Sequence, residues 1–305
     1  MLTRLLLGVL TLLAILVASF FLQRIAPGGP FDLERDMPEA ARQALIREWG
    51  LDRPVSEQLA LYLKGLCRFP PDLKRSMVQP DYTVWEIVGP RLQVSASLGF
   101  AALCVALALG LPLGVLAAVH DGKAADRITM LVALTGVAVP AFVLGPFLKW
   151  IFALELGWLP ESRWVGPASM VLPAFTLAAL PLATAARLVR SEMGTILRGD
   201  VVRTARSQGL PERRVVFVHA LPGALMPVIP WLGPATASLV TGSVVVERIF
   251  DVPGLGTTFI DGAFNRDYTL VMGTVIVYSI LLILMNLLTD GLLVLLDPRA
   301  RSHRP

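Results

Sequence analysis

Long uncharged runs constrain this chain more than any other feature. A hydrocarbon layer of roughly 30 Å takes about 20 apolar residues of helix to cross. The sequence holds six runs of that order: residues 5–22, 94–119, 128–154, 170–188, a fifth that starts at Val216 or Leu225 and ends at Val246, and 270–296. Each predicts a helix, because lipid offers no partner to an exposed backbone N–H or C=O, and the alternating pattern of a membrane barrel is missing. Only 16% of the residues are charged, against about 25% in a soluble domain. The chain therefore reads as an all-α integral membrane protein with six transmembrane helices. Arg4 ahead of the first run imitates a signal peptide, but Gln23-Arg24-Ile25-Ala26-Pro27 is a poor cleavage site and the run exceeds the roughly 7–15 residues of a signal core. The segment is expected to stay attached.

Orientation follows from the basic residues of the short loops. With the N-terminus inside, the cytoplasmic segments receive Arg4, Lys123, Arg127, seven arginines between Arg187 and Arg214, and Arg299, Arg301 and Arg304; the short outer loops hold only Arg163, Arg248 and Arg266. Both termini are thus expected in the cytoplasm. The basic balance, 27 Lys and Arg against 23 Asp and Glu, is accounted for by this asymmetry and needs no nucleic-acid partner. Cys67 and Cys104 fall in a loop and a span, a pairing that predicts no disulfide.

The long loop between the first two spans carries its own helix signals. Residues 38–49 read as a short helix closed by Gly50, and 54–66 as another with Val55, Leu59, Tyr62 and Leu66 on one face. Thr83 and Glu86 have the spacing of a capping box opening a helix towards the second span. Between the fourth and fifth spans, residues 198–208 predict a helix with Leu197, Val201, Ala205 and Gln208 along one side and Arg203 and Arg206 elsewhere. Gly209 suits a left-handed stop, and Pro211 can start the next helix. A bent pair of short helices tethered to two spans is suited to transmit motion.

Here a family resemblance becomes specific. Permeases of binding-protein-dependent ABC importers carry a loop of the form E-A-A, three residues, G, nine residues, I-x-L-P. This chain has Arg203-Thr204-Ala205, Gly209 and His219-Ala220-Leu221-Pro222 at those spacings. Ala205, Gly209, Leu221 and Pro222 match; Arg203, Thr204 and His219 depart from the general pattern in the manner of the peptide and nickel branch. Pro253-Gly254-Leu255-Gly256, Asn265-Arg266-Asp267-Tyr268 and Asp297-Pro298-Arg299 follow in that branch's order, and residues 24–31 resemble the B subunits of oligopeptide permeases.

The resemblance implies a type I importer permease fold, like that of the methionine importer, in a multi-pass bacterial inner-membrane protein. Residues 1–93 would form the first span with a helical outer loop, 94–296 the permease core and 297–305 a cytoplasmic tail. It implies a second homologous permease subunit, two ATP-binding subunits and an extracytoplasmic peptide-binding protein as partners. ATP and Mg would sit on the ATPase subunits, leaving this chain without a cofactor or catalytic residue of its own. Arg203, Thr204, Ala205, Ser207, Gly209, Leu210, Pro211, Leu221 and Pro222 would couple the permease to an ATPase. Glu247, Asn265, Arg266 and Asp267 are candidates for an outer gate or a contact with the binding protein. Oligopeptides are the expected cargo, with dipeptides or nickel chelates as the alternative; no substrate-binding residue is legible.

Several classes lose support. No G-x-x-x-x-G-K-[ST] loop occurs, since Gly122-Lys123 runs on into Ala124. His120, His219 and His303 lack metal-ligand spacing. An ion-driven secondary transporter calls for charges near the bilayer midplane, whereas Lys149, Glu247, Arg248 and Asp290 lie towards the ends of their runs. A DNA-reading helix pair at residues 203–216 would be tethered too closely to the membrane. Pro112, Pro140, Pro146, Pro173 and Pro181 predict kinks or close helix packing.

Overall fold

The protein is described by a computed structural model covering residues 2–32, 38–68, 71–161 and 164–296. The expected tail at 297–305, with the Asp297-Pro298-Arg299 motif and His303, lies outside the described residues, as does Arg163. Helices run in the order α1 (Leu2–Ile25), α2 (Glu39–Glu48), α3 (Val55–Leu66), α4 (Val84–Val119), α5 (Ala124–Ala138), α6 (Ala141–Lys149), α7 (Pro167–Leu197), α8 (Asp200–Ser207), α9 (Glu212–Arg214), α10 (Leu221–Ala224), α11 (Val228–Val240), α12 (Val244–Ile249), α13 (Leu255–Phe264) and α14 (Tyr268–Leu296). Wider π turns extend α6 over Trp150–Glu155 and join α9 to α10 over Val215–Ala220.

Among the described residues, five segments are long and apolar enough to cross a membrane: Leu5–Ile25, Val84–Val119, Pro167–Leu197, Val228–Ile249 and Tyr268–Gly291. The third expected span is instead a pair, α5 and the extended α6, bent by 105°. Pro140 is the cause. It supplies no N–H, and Val139 before it is extended, with φ −96° and ψ 113°. Pro146, Pro173 and Pro181 stay inside continuous helices. The fifth span begins at Val228, because Val216 belongs to the preceding π turn.

The chain divides into two units, Met1–Gln93 with Leu255–Ile280, and Val94–Gly254 with Leu281–Pro305. In the first unit, α2 ends as expected: Gly50 has φ +64° and Leu51 N–H reaches back to the Ile46 carbonyl at 2.9 Å. The capping box is formed too, with Thr83 N–H donating to Glu86 at 2.8 Å and Glu86 N–H to the Thr83 hydroxyl at 3.2 Å. Phe20 and Tyr62 are buried side by side, ring centroids 6.3 Å apart.

In the second unit α7 is the organising helix, contacted by α5, α6, α8, α10, α11 and α12. Gly110 and Gly114 of α4 bring that helix against it as well. A Cβ at either position would lie 2.7 Å from the Leu182 carbonyl oxygen or 2.6 Å from that of Ala186. Small residues permit such backbone-to-backbone approach where lipid supplies no hydrophobic drive between helices.

Candidate functional site

The bent pair between α7 and α11 forms largely as its sequence demands. Helix α8 closes with a two-bond cap: Gly209 N–H donates to the Arg206 carbonyl at 3.0 Å and Leu210 N–H to that of Ala205 at 3.3 Å. This wrapping requires a left-handed residue, and Gly209 has φ +75°. Pro211 then stands one residue ahead of α9, its carbonyl accepting from Arg214 and Val215 at 2.8 and 3.1 Å. The π turn carries His219, whose Nε2 is enclosed without a hydrogen-bond partner among the described residues.

The buried face of α8 differs from the expected one. Val202 and Ala205 point inward, whereas Val201 is 67% exposed and Gln208 is exposed. Val202 and Ala205 pack with Met193 of α7 and with Val215, Val216, Ala220 and Ala224, and Leu210 seals the edge. Both valines are helix neighbours of Ala205, three and four residues away; the apolar surface offered by α7 and the π turn selects Val202. The other expected residues line the outside. Arg203, Thr204, Ser207, Gly209, Pro211 and Pro222 are exposed, while Leu221 is half-buried.

An ion pair spans the bend. Arg206 grips Glu212 with two bonds, Nε to Oε2 at 3.1 Å and Nη2 to Oε1 at 2.5 Å. The hydrogen bonds from Arg206 hold the Glu212 carboxyl below the usual carboxylate range, and Glu212 in turn raises Arg206. Arg203 is freer, reaching Asp200 of its own helix at 3.4 Å with a side chain 76% exposed.

A second network anchors the neighbouring α4–α5 turn to α7. Arg190 donates to both oxygens of the buried Asp126 at 2.6 and 2.7 Å, Gly122 N–H adds a bond to Asp126 at 3.1 Å, and Arg198 pairs with Asp121 at 2.8 Å. None of these residues was among the expected site residues. The available signal was an arginine embedded in the end of an apolar run, which calls for a carboxylate nearby.

The four outer candidates separate into enclosed and exposed groups. Glu247 is fully buried in the first turn of α12, accepts from Ser95 at 2.8 Å, and lies against the backbone of Gly242 and Gly254, where any Cβ would collide with its carboxylate. Gly254 of the Pro-Gly-Leu-Gly segment thereby acquires a physical reason. Asp267 is 1% exposed and caps α14 through Leu270 N–H at 3.0 Å. It also accepts from the Ser76 hydroxyl, from Met77 and Val78 N–H at 3.2 and 3.4 Å, and from Thr269 at 2.9 Å. Asn265 is exposed and Arg266 half-buried, the latter with φ +56°.

Known proteins resemble this chain along most of its length. Residues 110–302 match the family described as binding-protein-dependent transport system inner membrane component. The oligopeptide transport system permease protein OppB of Salmonella typhimurium is 40% identical over 293 residues, 95% of both chains. OppB of Haemophilus influenzae is 39% identical over 98% of this chain and 97% of its own. The dipeptide transport system permease protein DppB of Bacillus subtilis is 40% identical over 96% and 95%. Among solved structures, a chain of the MetNI methionine ABC transporter shares the fold with a TM-score of 0.55 and 18% identity, covering 69% of this chain and 96% of that one.

Proposed function

Because the chain belongs to the family of binding-protein-dependent transport system inner membrane components, we propose that it forms half of a pathway through which an ATP-driven importer moves short peptides. It works beside a second permease subunit, two ATPase subunits that hold ATP and Mg, and an extracytoplasmic peptide-binding protein. The observation that carries this reading is the α8–α9 element. It joins an apolar inner face to a polar outer face, and its bend is set by Gly209, Pro211 and the Arg206–Glu212 grip. Arg203, Thr204 and Ser207 lie on the outer face and meet the ATPase, while Ala205 and Leu210 seat the element on its own bundle. Leu221 and Pro222 carry the motion into α11. These residues act through contact and geometry, and none performs chemistry.

Both termini and α8 face the cytoplasm in this reading, as the basic loops require. Asp267 acts by holding backbone and Glu247 by its buried bond to Ser95 against Gly242 and Gly254, and neither enclosed carboxylate offers a surface to a docking protein. Asn265, with the half-buried Arg266 beside it, is left to meet the binding protein. Peptide cargo is supported by relatives named for oligopeptide and dipeptide transport.

The test is uptake of a labelled short peptide by the complete complex in proteoliposomes, with and without the binding protein and with any proton gradient collapsed. Uptake that needs both ATP and the binding protein is the expected result. Transport driven by a gradient alone would sink the reading, and ATP-dependent uptake of nickel chelates but not peptides would move the cargo.

A further inference from the structure

The first unit contains a cavity of about 200 Å³ that the permease reading does not use. Its wall includes Arg24, Arg47, Arg53 and Lys74 against a single carboxylate, Glu48. Two of these cations are occupied: Arg24 donates twice to Gln58, at 2.9 and 3.1 Å, and Arg53 pairs with Glu57 at 2.9 Å. Arg47 and Lys74 have no ion-pair partner among the described residues. Lys74 is held at φ +62°, a conformation that lysine rarely adopts and that marks a constrained position. The hydroxyl of Tyr62 is enclosed in the same wall without a partner among the described residues, although the residue is only 5% exposed. A buried hydroxyl normally has one. Unpaired cations together with an unsatisfied donor describe a receptor for an oxyanion.

The setting says which oxyanion. Arg24 is the penultimate residue of the apolar segment Leu5–Ile25, so it lies at the depth of the lipid headgroups. The cavity shares Tyr268 with a second hollow of about 320 Å³ lined mostly by apolar groups, among them Leu22, Phe259, Val271 and Val275. Gln23 lines this hollow with both ends of its amide buried and without a partner among the described residues. A basic cavity at headgroup depth beside an apolar groove fits a molecule with an anionic head and a hydrocarbon tail.

We propose that this unit binds one anionic phospholipid, with its phosphate among Arg47, Lys74 and Tyr62 and an acyl chain in the groove beside Tyr268. The lipid would tie the loop helices α2 and α3 to the end of α1, independently of what the complex transports. A cation near a membrane surface contributes roughly 1 kcal/mol towards an anionic lipid, about fivefold in affinity for each charge.

The experiment uses the complete complex in nanodiscs of phosphatidylcholine doped with phosphatidylglycerol, extracted into detergent and weighed by native mass spectrometry for retained lipid. Selective retention of phosphatidylglycerol is expected, falling about fivefold for each charge removed in Arg47→Gln and Lys74→Gln. Ala263→Trp, which fills the exposed edge of the groove, should lower retention while leaving both cations in place. Equal retention of the two lipids would overturn the proposal, and so would unchanged retention in the charge variants with their melting temperature preserved. Inorganic phosphate separates the sources: it should leave the lipid bound, and displacement at equal concentration would make free phosphate the ligand and end the lipid assignment.

Discussion

The α8–α9 element and the Asp267 cluster handle charge in opposite ways. In the former the inner face is built on Val202, Ala205, Val215 and Met193, and the arginines lie on a rim where Arg203 and Arg206 have side chains 76% and 46% exposed. In the latter a carboxylate that is 1% exposed is itself the core, receiving donors from residues 76–78 and from the first turn of α14. An exposed ion pair exchanges for water at little cost, whereas a buried carboxylate stripped of its donors does not. The first arrangement suits a surface that meets and leaves a partner. The second fixes two distant stretches of backbone as one piece.

The largest effect should come from breaking the buried member of this comparison. Asp267→Ala strands the Ser76 hydroxyl and three backbone N–H groups, while the Thr269 hydroxyl keeps the Arg75 carbonyl at 2.6 Å, and should destabilise the first unit by about 3–5 kcal/mol. Asp267→Asn should also destabilise, because the Ser76 hydroxyl and the three backbone N–H groups are donors and the amide replaces one acceptor oxygen with another donor. Thermal unfolding of the purified complex, with proteolysis of the 71–82 segment as a local probe, measures both. An Asn variant as stable as wild type would show that the donors are satisfied elsewhere.

Next comes the bend of the exposed element. Gly209→Pro forces φ from +75° towards about −65° and removes the N–H that caps α8, a local cost of about 3 kcal/mol. Peptide uptake should collapse while basal ATP hydrolysis persists and the complex still inserts. Gly209→Asn, which tolerates the left-handed region, should restore most of the uptake. Normal coupled transport in the Pro variant would remove the bend from the mechanism.

How much of this was legible depends on how far apart the interacting residues are in the chain. Apolar runs, the Gly50 and Gly209 stops and the Thr83–Glu86 capping box are local, and each is present. The break in the third span was half legible: Pro140 stood in a group of prolines, and nothing local distinguishes it from Pro146 or Pro173, which stay inside helices. The inner face of α8 was misread at Val201 because both valines satisfy helical spacing to Ala205, and the surface that chooses between them comes from α7 and the π turn. Glu247 stands out as a charge at the end of a span and Asp267 as part of a motif, and only the cap from Asp267 to Leu270 is local; the bonds from Ser95 to Glu247 and from Ser76 to Asp267 span 152 and 191 residues. No spacing rule reaches that far.

The smallest effect belongs to the Arg206–Glu212 grip, and it sharpens the distinction between stability and coupling. Both side chains are about half exposed, so solvent screening limits the pair to well under 1 kcal/mol of stability. Its pH dependence has a definite sign. Arg206 lowers the Glu212 pKa in the folded protein, so the contribution is complete above the unfolded glutamate value near about 4.3 and fades as pH falls through the depressed folded value. Above that window the melting temperature of Glu212→Gln should stay within about 1 °C of wild type, since half a kcal/mol spread over so large a complex moves it little. Uptake per ATP hydrolysed should nevertheless fall, because the angle between α8 and α9 is no longer held from both sides, and Arg206→Lys should fall with it because a single ammonium cannot reproduce the two-pronged contact. A loss of uptake matched by an equal loss of stability would mean that the grip holds the fold together; an unchanged ratio of uptake to hydrolysis would mean that Gly209 and Pro211 set the bend alone.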